Sequence, residues 1–258
     1  MSSRLKAMAR EAVEIAERGS YRGPAGVEMP IDAASAVAGT RLYEPADALS
    51  PTGYDGPTAV EVTGESTVAA ARRVGGDVAA LVFASARNPG GGFLNGAQAQ
   101  EESIARSSAL YPCLLAAREF YEFHRGHPEL TYSDRVIYSP GVPVFRDDRG
   151  ELLPEPYPVS FLTAAAPNLG AIRRNQPHLA GSVPEILRRR AGRVLEVAAA
   201  HGHRRIVLGA WGCGVFGNDP VVVARAFAEA LRERPFERVV FAVLGPNRPE
   251  FESVLASR

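Results

Sequence analysis

Apolar residues along the chain follow two rhythms. Leu5, Met8, Ala12, Ile15 and Ala16 recur at three- and four-residue spacing, which predicts an amphipathic helix closed by Gly19 as its C-cap. From Ala59 onward, short apolar runs alternate with longer periodic stretches. Strands are predicted at Ala59–Val62, Val78–Ala84, Arg135–Ser139, Val142–Phe145, Pro158–Ala165, Arg205–Leu208 and Arg238–Leu244, the third and fourth flanking a Pro–Gly turn. Helices are predicted at Ser66–Val74, Pro184–Ala200, Pro220–Arg232 and Arg248–Ala256. Another runs from Gln98 to Leu110, is perturbed at Pro112 and resumes to His124. The stretch from Ser20 to Pro57 is rich in Gly, Pro, Ala and Ser and reads as a long surface connection with at most a short strand or two.

Strands that alternate with helices imply an α/β fold, a mixed and largely parallel sheet flanked by helices. The chain has 258 residues and shows no internal repeat, charge run or linker. A single domain over 1–258 is therefore expected, with an N-terminal extension at 1–57 and a core at 58–258.

Charge and cysteine content narrow the function classes. Lysine and arginine total 29 and aspartate and glutamate total 29, a balance that argues against general nucleic-acid binding and against an anionic membrane surface. A compact anion pocket remains open, because backbone amides build one without net charge. Cys113 and Cys213 make no disulfide framework and cannot complete a structural zinc site. The charged N-terminus lacks the apolar core of a signal peptide, and no apolar run reaches the length of a membrane span. A cytoplasmic protein is expected.

Two loops carry the candidate chemistry, and each follows a strand and precedes a helix. The first runs Asn88-Pro89-Gly90-Gly91-Gly92-Phe93-Leu94-Asn95-Gly96 and leads to Gln100-Glu101-Glu102. Three consecutive glycines let the backbone approach a ligand closely and aim its N–H groups at oxygen. Acidic residues in a first helical turn are favoured by the helix dipole alone. Adjacent carboxylates beside a glycine platform suit a further division of labour, one holding hydroxyls and one moving a proton. The second loop, Gly209-Ala210-Trp211-Gly212-Cys213-Gly214-Val215-Phe216-Gly217-Asn218, can wrap a diphosphate with backbone amides. Phe216 is either a platform for a ribose or base or a core aromatic. His201 and His203 have no third metal ligand near them and are read as structural, and His124, His127 and His178 lie in loop-like polar surroundings and support no triad.

At these loops the sequence resembles the poly(ADP-ribose) glycohydrolases, and its length resembles their compact microbial branch. The resemblance rests on Gly90-Gly91-Gly92 followed after seven residues by Gln100-Glu101-Glu102, and on Gly209-Ala210-Trp211-Gly212-Cys213-Gly214-Val215-Phe216-Gly217. It implies a macrodomain-like fold, no cofactor and no metal. The implied activity is cleavage of ribose–ribose O-glycosidic bonds from the polymer end, releasing ADP-ribose. Implied partners are ADP-ribose, poly(ADP-ribose) and ADP-ribosylated proteins. Glu102 would be the general acid/base and Glu101 would hold the ribose beside the scissile bond. Asn88, Gly90, Gly91, Gly92 and Gln100 would line that ribose, and Gly212, Cys213, Gly214, Val215, Phe216 and Gly217 the diphosphate and proximal ribose. Glu102 must then hold a proton near neutrality, which burial and a charge on Glu101 favour. Two positions depart from relatives: Ala210 stands where asparagine occurs, and Leu244 where animal enzymes stack an aromatic on adenine. An ADP-ribose reader and a mono-ADP-ribosyl hydrolase remain as alternatives, because both would bind the same ligand body.

Overall fold

In the computed structural model, residues 2–256 are described. The chain order is α1 (Ser2–Arg18), β1 (Ser20–Arg22), β2 (Glu28–Pro30), α2 (Ala33–Gly39), β3 (Arg41–Tyr43), β4 (Ala59–Thr63), α3 (Thr67–Val74) and β5 (Val78–Phe83). It continues with α4 (Gln100–Ser107), α5 (Leu110–Ala116), α6 (Arg118–Gly126), β6 (Val136–Arg146), β7 (Leu152–Ala164) and α7 (Leu169–Asn175). Then come α8 (Val183–Ala200), β8 (Arg205–Leu208), α9 (Pro220–Glu233), β9 (Arg238–Ala242) and α10 (Arg248–Leu255).

The apolar runs form a seven-stranded sheet in the order β3-β6-β7-β5-β8-β9-β4. β7, β5, β8, β9 and β4 are mutually parallel, while β6 is antiparallel to β7 and β3 to β6. β5 is central and shows why its sequence is apolar throughout. Val78, Ala80 and Val82 join a core cluster beneath α1–α6, and Ala79 and Leu81 join another beneath α7–α10. With both faces covered, neither side of the strand has a place for a polar residue. The helices start where short polar side chains cap them: Asp32 accepts from Ser35 N, Ser66 from Ala69 N, Asn168 from Ala171 N and Asp219 from Val221 N.

Four expectations are corrected. Ser20–Pro57 is more than a surface connection, since it contains α2 and also β3, an edge strand of the main sheet. The helix after the first glycine loop breaks at Ser108, four residues before Pro112. Ser108 is extended, pairs with Val144 in an isolated bridge, and accepts through its hydroxyl oxygen from Leu110 N at the start of α5. Pro112 falls in the first turn of α5, where its missing N–H is harmless. The two strands around Pro140–Gly141 are one strand, β6, with a bulge there in place of a turn. The fourth correction is α7, which the sequence reading left out altogether.

Tyr21 shows how firmly the N-terminal stretch is tied to the core. It is fully buried, packs on Phe145 at 5.9 Å between ring centroids, and donates its hydroxyl to Leu153 O at 2.9 Å. Tyr21→Phe should therefore cost about 1 kcal/mol and Tyr21→Ala about 3–5 kcal/mol in equilibrium urea unfolding. A Tyr21→Ala variant as stable as wild type would show that residues before Pro57 lie on the core without supporting it.

Candidate active site

β5 and β8 lie side by side at the centre of the sheet. From β5 the chain proceeds to β6 and β7 on one side, and from β8 to β9 on the other. This reversal makes a crevice beyond the carboxyl ends of the two strands, the place where open α/β sheets bind ligands. Both glycine loops leave from there, one after Phe83 and one after Leu208.

The first loop is folded around the acidic pair. Glu102 stands in the first turn of α4 and accepts from Gly92 N through Oε1 and from Ala99 N through Oε2, both at 3.0 Å. Gly91 has φ +59°, and a Cβ there would collide with the Glu102 carboxylate and press on Oε2 of Glu101. Only glycine can pass this point. Glu101 turns inward, where Oε2 accepts from Ser85 N at 2.6 Å and Oε1 is buried with no partner. Burial, and then the neighbouring Glu102 charge, push the Glu101 carboxyl well above its ordinary range, against the lowering effect of the Ser85 hydrogen bond. The burial expected of Glu102 thus falls on Glu101, while Glu102 is only partly buried. The cause is helical phase: neighbouring residues on α4 point about 100° apart.

Gln100 lines the cleft, but its amide is engaged within the protein. It accepts from Phe83 N at 2.9 Å and donates to Leu81 O at 2.7 Å and Thr67 Oγ1 at 3.0 Å. It clamps α4 onto the end of β5. Asn88 is exposed, and its carbonyl accepts from Gly91 N. Gly90 packs against Phe93 and Tyr111, and Gly92 against Ala97.

The second loop is anchored by Trp211, fully buried, whose indole N–H donates to Ala164 O at 3.0 Å. Gly212 has φ +72°, and a Cβ there would collide with Asn218 and Ala166. Asn218 in turn donates to Pro167 O at 2.9 Å, tying the loop to the end of β7. The loop is closed by Cys213 N to Ala210 O, Gly217 N to Gly214 O and Asn218 N to Gly212 O, which leaves the N–H groups of Gly214, Val215 and Phe216 outside these bonds. The Cys213 side chain packs inward, and burial, with Asp219 adding to it, pushes its thiol up to about 12. That is no setting for a thiolate.

Between the loops lies a mostly apolar cleft of about 130 Å³. Gln100, Gly212, Gly214, Val215 and Phe216 line it among the expected residues, and Phe83, Ala84, Ala99, Ala166, Ala210 and Trp211 complete it. Asn88, Gly90, Gly91, Gly92, Glu101, Glu102, Cys213 and Gly217 do not line it. Glu102 is tied to this lining through Ala99, whose N–H donates to its Oε2. Hollows of about 390 Å³ beside α3 and about 340 Å³ between α8 and α9 are larger but include no residue of either loop. Sequence reasoning missed Ser85, Thr67 and Ala166, ordinary small residues that only the fold brings to the site.

The histidines are engaged elsewhere. His203 is buried, with Nε2 2.8 Å from the Tyr138 hydroxyl and Nδ1 3.0 Å from Asp77, and His201 stacks on Tyr138 at 3.6 Å. His124, expected in polar loop surroundings, is instead buried on α6. Among the described residues no cluster of three or more His, Cys, Asp or Glu is placed to hold a metal.

The family model for the microbial-type PARG catalytic domain, PARG being poly(ADP-ribose) glycohydrolase, matches residues 9–147, which include the first loop and both carboxylates. The chain belongs to this family. Similar solved structures extend the likeness over the second loop. The poly(ADP-ribose) glycohydrolase of Thermomonospora curvata is 50% identical with a TM-score of 0.91, covering 99% of this chain and 100% of that one. The same enzyme bound to the inhibitor ADP-HPD gives 48% and 0.88 over the same shares. The poly(ADP-ribose) glycohydrolase of Deinococcus radiodurans in complex with ADP-ribose is 46% identical with a TM-score of 0.80, over 87% of this chain and 97% of that one. No curated protein matches significantly. The mixed, largely parallel sheet flanked by helices is thus the fold of the microbial PARG family.

The buried Glu101 carboxyl has a consequence for stability. A raised folded-state value means that unfolding releases the carboxyl to ionise more easily, so the native state loses stability as pH rises above the ordinary glutamate range. Glu101→Gln removes that penalty. Its melting temperature relative to wild type should be more favourable at pH 8 than at pH 5. A difference that does not change with pH would show that Glu101 ionises as freely in the folded state as in the unfolded one.

Proposed function

We propose that this microbial-type PARG is a poly(ADP-ribose) glycohydrolase that releases ADP-ribose from the polymer end, with Glu102 as its general acid/base. One observation carries the assignment. Of the two carboxylates, Glu102 is the less buried, with one backbone N–H on each oxygen to fix its direction. The solved relatives, described as poly(ADP-ribose) glycohydrolases and captured with ADP-ribose or ADP-HPD, support the substrate class.

In the proposed reaction Glu102, protonated, gives its proton to the 2′-oxygen of the leaving ribose as the glycosidic C–O bond breaks. The electron pair of that bond leaves with the oxygen, and the remaining ribose becomes oxocarbenium-like. The Glu102 carboxylate then takes a proton from water, whose oxygen bonds to the anomeric carbon, and the acid is regenerated. Glycosidases commonly divide acid and base between two carboxylates. Here burial keeps Glu101 protonated further up the pH scale than an ordinary glutamate. Glu101 Oε1, buried and without a hydrogen-bond partner, is the acceptor left for a ribose hydroxyl.

The second loop takes the diphosphate on the N–H groups of Gly214, Val215 and Phe216, with Phe216 against the proximal ribose. Ligand pockets usually span about 300–1,000 Å³, more than the cleft alone offers, so the rest of the ligand lies along the open loops. Val215 is 93% exposed and Leu244 63%, apolar surface that a bound nucleotide would cover. ADP-ribosylated proteins as carriers of the substrate, and the cytoplasm as the compartment, belong to the same proposal. Among the described residues no helix is long and apolar enough to cross a membrane.

Single-turnover cleavage of purified polymer, measured beside ADP-ribose affinity, tests the assignment. Glu102→Gln should fold, bind ADP-ribose and lose about 10²–10⁴ of the cleavage rate, the usual worth of general acid–base catalysis. A variant that cleaves near the wild-type rate would refute the role of Glu102. Tight ADP-ribose binding by a wild type that never cleaves polymer would favour the reader or the mono-ADP-ribosyl hydrolase.

A further inference from the structure

Phe216 is braced from outside its own loop. Its carbonyl accepts from Gly170 N on α7 at 2.8 Å. Its ring lies 6.1 Å from the ring of Tyr132, the planes 45° apart. Tyr132 stands in the connection from α6 to β6, which opens at the same end of the sheet as the glycine loops because β6 runs against β7. Among the described residues it is the one non-glycine with positive φ, +58°. A bulky side chain is rarely found there, and such a conformation persists only where neighbours hold it.

The neighbours are specific. Tyr132 N–H donates to Glu129 O at 3.3 Å, and the ring meets His124 edge-on at 5.7 Å and 88°. The His124 ring is itself fixed: Ser133 N–H donates to Nε2 at 3.2 Å, so Nδ1 carries the proton and donates to Phe120 O at 2.7 Å. Asn168 N–H donates to Leu130 O at 2.9 Å, joining the same connection to α7. Two segments outside the glycine loops, α7 and the connection from α6 to β6, therefore meet Phe216. The turn at 132 does not call for a tyrosine, because glycine adopts this conformation freely. What tyrosine adds is a ring against Phe216.

We infer that Tyr132 is a positioning residue of the ligand cleft, its ring setting the depth and tilt at which Phe216 meets the ligand. This rests on the reading that Phe216 faces ADP-ribose. The opposing possibility is that Tyr132 only packs the core, whose α1–α6 cluster it also touches.

A double-mutant cycle separates the two, with ADP-ribose affinity measured by calorimetry and folding by circular dichroism. Tyr132→Phe keeps the ring and should bind within about twofold of wild type. Tyr132→Gly should stay folded yet bind about five- to tenfold more weakly, the scale of coupling between contacting residues. In a Phe216→Ala background the same change should cost less than about twofold, because the group it positions is gone. Should Tyr132→Gly fail to fold, Tyr132→Leu, which keeps bulk without a planar ring, carries the same expectation. Wild-type affinity in the folded glycine or leucine variant, or losses that multiply independently with Phe216→Ala, would overturn the inference alone. A wild type that does not bind ADP-ribose would overturn the proposed function, and this inference with it.

Discussion

At Gly91 the chain runs against both carboxylates with no room for a methyl group, and the backbone on either side supplies their hydrogen bonds. Much of the site depends on this packing. With Gly92 N and Ala99 N each holding one oxygen, Glu102 cannot swing freely into solvent. With Ser85 N holding Oε2, Glu101 stays beneath the loop. Two acids side by side would ordinarily repel and splay apart. Here backbone dipoles and the positive end of α4 offset that repulsion. Their unequal burial then separates them electrically, one carboxyl inclined to keep its proton and the other only partly buried.

The sheet supplies what the loop cannot. β5 and β8 are adjacent, parallel and buried on both faces, so the points where the two loops begin are fixed relative to each other by ladder hydrogen bonds and core packing. Gln100 ties α4 to β5, and Trp211 ties the second loop to β7. Both are side-chain donors to backbone carbonyls towards the carboxyl ends of the strands. The cleft between the loops can thus be apolar and open while its walls are rigid, and preorganisation of this kind is what a site must provide if its catalytic groups are to act without rearranging.

The parallel strands and their helices were legible because each is marked by a buried run or a helical period, as at Val78–Phe83 and Pro220–Glu233. The glycine loops were legible because backbone demands leave few residue choices. Elsewhere the deciding contact was long-range. Nothing local distinguishes Ser108, which breaks a helix by pairing with Val144, from a serine within one. Pro140–Gly141 reads as a turn unless Ser160 is known to take the Gly141 N–H. β3 is three residues long and is a strand only because β6 lies beside it. The order of burial in Glu101-Glu102 depends on the phase of α4 against the loop, which no composition argument supplies. Tyr132 carried no signal at all, since its unusual φ is visible only in the folded chain.

Digestion of purified poly(ADP-ribose) by the wild-type chain, followed over time by anion-exchange chromatography, probes the central claim most directly. Free ADP-ribose should accumulate from the earliest times as the remaining polymer shortens gradually. Polymer that stays intact at enzyme concentrations sufficient to bind all of its ends would contradict the claim that these paired carboxylates form a glycohydrolase site.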